Sequence, residues 1–137
     1  MQPLTPTIAI HLTAALAATA IGPLALWARL GRSTYPRLHR AAGYAWVMLM
    51  LITALSALFI RDVRGLHLAG YSPIHLLIPV TLLSVGRGLW YLAKHNITGH
   101  RLTMQRTYIG ACVVAGGFTL LPSRFLGQWL WGHLGLL

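Results

Sequence analysis

Four of the seven histidines in this 137-residue chain fall one to each of its long apolar stretches: His11, His39, His75 and His100. Neutral imidazole in or near hydrocarbon is costly without a partner, so such a residue is either a hydrogen-bonded packing group or a ligand. Their depths pair off. His11 and His75 are each expected about one helical turn below the outer end of their helices, and His39 and His100 at the cytoplasmic starts of theirs. Two imidazoles facing each other across a bundle are what axial ligation of a b-type haem requires. Hence His11 with His75, and His39 with His100, are candidate metal ligands for one or two haems. His67, His95 and His133 fall in loops or the tail and take no role.

Porphyrin propionates need cations. Arg40 and Arg101 directly follow His39 and His100, while Arg61, Arg64 and Arg124 lie near the outer pair. Interfacial anchoring explains the same arginines without a ligand. Arg87 stands about two turns inside the third apolar stretch, where charge is expensive. It either snorkels to the cytoplasmic surface or meets a propionate or quinone oxygen. Below His11, a stripe of Ala14, Ala15, Ala18 and Gly22 keeps one helix face small, and Ala42 and Gly43 do so beside His39. Such stripes admit a flat macrocycle, or simply let helices pack closely in lipid.

Other chemistries lose their reagents. Asp62 is the one acidic residue, so no carboxylate pair and no Ser-His-Asp constellation can be built, and proton-coupled transport lacks its usual carboxylate. Gly86-Arg87-Gly88 has neither the lysine nor the strand context of a phosphate loop. With Cys112 alone there is no disulfide framework or cysteine cage. Copper handling through histidine, Met48 and Met50 stays open, although the spacing puts those two methionines on different sides of a helix. Any activity is therefore expected to be redox or electron transfer, not hydrolysis.

The elements that must position these groups are plain from composition. The chain is 56% hydrophobic and 9% charged, with its apolar residues in four blocks near the roughly 20 residues that cross a bilayer. The spacing predicts helices over 8–28, 38–60, 73–93 and 100–122, with a bend at Gly22-Pro23, an N-cap at Ser72-Pro73 and an interfacial tail over 127–137. Met1 to Thr7 has no positive n-region, so the first apolar stretch reads as a retained span and not a signal peptide. One transmembrane domain over 1–137 results, an all-α four-helix bundle in which short loops place helices one and three, and two and four, on diagonals.

Formal charge is +10, but the cations flank the apolar blocks, so topology and anionic lipid headgroups account for them and nucleic acid does not. Seven lie around the first and third loops (Arg29, Arg32, Arg37, Arg40, Lys94, Arg101, Arg106) and three around the second loop and tail (Arg61, Arg64, Arg124). A multi-pass protein of the bacterial inner membrane with both termini outside is expected. The layout also repeats. Fifteen residues separate His11 from Trp27 and 14 separate His75 from Trp90; 11 and 9 then lead to His39 and His100. Two helical hairpins thus carry the same groups at the same heights.

At His39-Arg40-x-x-Gly43, Ser72-Pro73-Ile74-His75-Leu76-Leu77 and His100-Arg101-x-x-Met104-x-Arg106-x-Tyr108, the chain resembles an uncharacterised family of small bacterial membrane proteins carrying a domain-of-unknown-function label. The resemblance covers nearly the whole chain and implies a four-helix bundle without implying an activity. A looser likeness, of positions and not of motif, is to the cytochrome b561 core, which implies two bis-histidine haems bridging helices one with three and two with four. This chain is shorter, and its inner histidines sit at helix ends. The rival expectation is a non-catalytic accessory subunit or assembly factor of a larger membrane complex, its histidines serving packing; a homodimer, a redox partner protein and a quinone are the other partners considered.

Overall fold

The structure is a computed structural model describing residues 4–29, 35–60 and 73–136. Within them the chain is entirely helical. Helix α1 spans Pro6–Trp27 and α2 Pro36–Ala57. A 3-10 turn, Pro73–Leu76, leads into α3, Leu77–Ala93. Helix α4, Ile97–Tyr108, runs on through a π-helical segment, Ile109–Val114, into α5, Ala115–Thr119. Helix α6, Phe125–His133, closes the chain. Arg32 of the first loop, all of the second loop with Asp62 and His67, and the Ser72 cap lie outside the described residues.

Local chemistry sets the boundaries. Thr5 caps α1, its hydroxyl accepting from the Ile8 amide at 3.3 Å, with Pro6 in the first turn where it costs no hydrogen bond. Asn96 caps α4 by accepting from the Gly99 amide at 2.9 Å, so this helix begins three residues before the expected start. The expected single helix over 73–93 is a 3-10 turn followed by an α-helix. Pro79 gives the reason: its ring clashes with the carbonyl four residues back, that of His75, so a regular α-turn there is disfavoured. His75 accordingly precedes α3 instead of sitting one turn inside it. The expected fourth helix over 100–122 ends at Thr119.

Helix α1 packs along α2 and α3 along α4; α2 meets α3, and α4 with its π-helical continuation closes back on α1. The seam is built from small residues, Ala14, Ala18 and Ala25 on α1 facing Ala42 and Ala54 on α2, around buried Trp46, Met50 and Val85. The outside is apolar: Leu16, Met48, Phe59 and Leu83 are each more than half exposed. Helices α1 and α2 are long and apolar enough to cross a membrane, and 22 residues each at 1.5 Å rise make rods of about 33 Å.

Gly22-Pro23 lies inside α1, which continues to Trp27. Pro23 has no amide to give the carbonyl of Thr19; Tyr108 supplies the missing donor, its hydroxyl bonding Thr19 O at 2.9 Å. Gly22 makes the approach possible, since a Cβ there would collide with the Tyr108 ring. One dipeptide thereby docks α4 onto α1.

Candidate functional site

Each of the four paired histidines reaches a backbone carbonyl on another helix or at its end. In the first hairpin the Arg29 amide turns to Leu26 O, and His39 Nδ1 donates to Ala25 O at 2.7 Å. In the second, His100 Nδ1 donates to Gly88 O at 2.9 Å. The repeat seen in the spacing is thus a repeated contact: a histidine in the first turn of the returning helix bonds a carbonyl near the end of the preceding one. At the opposite end of the molecule His11 Nδ1 donates to Thr53 O at 2.9 Å, with Ser56 Oγ at 3.1 Å. Ser56 gives its own proton to Thr53 O at 3.0 Å. His75 Nε2 donates to Ile60 O at 3.0 Å.

These carbonyls decide the tautomers. A carbonyl accepts only, so the ring nitrogen it meets carries the proton and the other carries the lone pair. His11, His39 and His100 therefore keep their lone pair on Nε2. A ring held this way through one nitrogen is the usual state of a metal-ligating imidazole. It is equally the state of a histidine that only staples helices.

Space separates the two pairs. Between the hairpins, at the end away from their short connections, lies a cavity of ≈ 1130 Å³ lined by both His11 and His75. That exceeds the roughly 300–1,000 Å³ of ordinary small-molecule sites. Its walls owe their room to Ala15, Ala18, Ala54, Ala57, Ala111, Ala115 and Gly116; Phe59 and Phe118 add flat apolar surface, and Ser123, Arg124 and Gln128 line it as well. The π-helical segment contributes Ala111 and Cys112. Neither His39 nor His100 lines this cavity, and an added Cβ at Gly43 beside His39 would meet no atom within 4 Å.

The arginines named with the inner pair lie at the surface. Arg101 Nη2 donates to Arg29 O at 3.3 Å, tying α4 to the end of α1. Arg87 donates to the Tyr91 hydroxyl at 2.9 Å from Nη2, one turn nearer the end of α3, and its guanidinium lies 5.4 Å from that ring's centroid. Arg40 is exposed. None of the three lines the cavity, whereas Arg124 does. Of the methionines weighed for copper, Met48 is 58% exposed and Met50 is buried against Cys112. That sulfur contact escaped the sequence reading because the two residues are 62 apart and no local period links them.

A family model described as "Predicted membrane protein (DUF2306)" matches residues 8–131. No curated protein and no solved structure matches the chain.

Proposed function

This chain belongs to the DUF2306 family of predicted membrane proteins, and on that premise we propose that it is a multi-pass protein binding a b-type haem between His11 and His75 for transmembrane electron transfer. The observation that carries the reading is that both imidazoles line one large cavity and each bonds a backbone carbonyl. The residues present fit such a group: two ligating imidazoles, walls of alanine and glycine that allow close backbone approach, flat aromatic side chains, and the Arg124 cation for a propionate. His11 and His75 would be the two residues that hold the iron. Thr53 and Ser56 would hold the His11 ring in one tautomer and orientation. The haem would supply one-electron chemistry; a quinone is the fitting membrane-soluble partner, and Arg87 and Arg101 stand where an anionic oxygen can be met at the hairpin end.

The four rods cross the bilayer with the hairpin connections on the cytoplasmic side, where the cations concentrate, and both termini outside. His39 and His100 extend the same scheme to an inner haem, in the manner of the cytochrome b561 core. One haem per chain is the expected stoichiometry, because the inner pair does not share the cavity; two would bring His39 and His100 in as ligands.

A reduced-minus-oxidised spectrum of the purified protein tests this. A Soret band and a sharp reduced α band are expected, and His11→Ala or His75→Ala should each abolish them. Colourless protein from haem-sufficient cells would reject the haem. One observation favours a second reading: all four histidines already bond carbonyls, as helix staples of an accessory subunit or assembly factor would. Isolated colourless and intact, the protein would take that role.

A further inference from the structure

Partway along the cavity its wall changes from imidazole and hydroxyl to sulfur. Cys112 Sγ lies 3.9 Å from Met50 Sδ, the two residues are 8% and 3% exposed, and both line the cavity. Cys112 belongs to the π-helical segment Ile109–Val114, an irregularity that recurs at functional sites. The Thr19 hydroxyl and the Trp46 indole lie beside the same sulfur. Trp46 is 5% exposed, and its Nε1 is a buried side-chain nitrogen with no acceptor among the described residues. A thiol is a weak acceptor for that N–H, whereas a thiolate is a strong one.

We propose that Cys112 and Met50 form a Cu(I) site on the cavity wall, with Cys112 bound as thiolate. Metal–sulfur bonds of about 2.3 Å, one to the Cys112 thiolate and one to the Met50 thioether 3.9 Å from it, subtend roughly 116° at the ion, close to a trigonal angle, and the third position faces the cavity. Thiolate and thioether are soft ligands that select monovalent copper. Charge points the same way. Cu(I) and one thiolate cancel, so no net charge enters the bundle, whereas a divalent ion would leave an uncompensated positive charge in low dielectric. On binding, the Cys112 S–H bond breaks, its proton leaves to solution and a copper–sulfur bond forms; copper stays monovalent and nothing is oxidised. The site does not depend on the haem reading.

The purified protein in detergent, mixed anaerobically with Cu(I) held by bathocuproine disulfonate, should withdraw about one equivalent from the chelator. Cys112→Ser should abolish the transfer and Met50→Leu weaken it at least tenfold, while Met48→Leu, which removes an exposed thioether, should behave as the unaltered protein. X-ray absorption at the copper edge needs no variant: two sulfur neighbours near 2.3 Å are expected. No copper taken from the chelator, nitrogen and oxygen neighbours only, or undiminished binding by Cys112→Ser would each overturn the site. The optical spectrum reports the haem separately, so either reading can fail alone.

Discussion

The two ends of the bundle use the same side chain differently. At the hairpin end, His39 and His100 close short connections by taking the carbonyls of Ala25 and Gly88, and close packing surrounds the second of them: Met104 sits over Gly88 and Tyr91 against Gly99. At the other end, His11 and His75 also take carbonyls but look into a large cavity bounded by a 3-10 turn and a π-helical segment. What distinguishes a candidate ligand from a staple here is the room beyond the ring, not the residue or its hydrogen bond.

That contrast can be broken or sharpened by substitution. The largest effect is expected of His11→Ala and His75→Ala, complete loss of the haem bands, against retained bands in His39→Ala; bands lost equally at both ends would erase the distinction. Next comes Gly22→Ala, which drives a methyl into the Tyr108 ring and should destabilise by about 1–3 kcal/mol, read as a lowered thermal midpoint in detergent. His39→Ala leaves the Ala25 carbonyl without its donor and should cost about 0.6–1.7 kcal/mol by the same measurement. Gly88→Ala should be smallest. The nearest atoms are the flexible end of Met104, which can shift, and gain in helix propensity of up to about 1 kcal/mol offsets the crowding.

Much of the fold was legible because lipid-facing helices are spelled by long apolar blocks, and the family resemblance read from the His39, His75 and His100 motifs is the membership found. The structure also gives part of the third motif a physical content. His100, Met104 and Tyr108 follow at intervals of four, and each docks α4 on a neighbour: Gly88 O, Gly88 itself, and Thr19 O. Boundaries were less legible. Thr5 and Asn96 are ordinary caps that the apolar count overlooked, and Pro79 broke the start of the third helix from within an apolar run. The π-helical segment had no signal beyond a scatter of glycines, Gly110, Gly116 and Gly117, and the cavity depends on how two hairpins splay, which no spacing within one helix encodes. The repeat named both His11 and His75, which line one cavity, although His75 stands before α3 and not within it; the contact of Cys112 with Met50 had no such signal.

The π-helical turn at Ile109–Val114 has a bearing on how this chain tolerates length changes. Such a turn holds one residue more than an α-turn, so a single deletion within it can be absorbed as ordinary helix with every flanking backbone bond intact. Phase is kept as well, because the π-turn already spreads its extra residue over a wider turn; at 3.6 residues per turn the same deletion in a regular α-helix would swing the part beyond it by about 100°. Gly116 and Thr119 would therefore stay on the wall they now form, and only the widened turn that carries Ala111 and Cys112 would be lost.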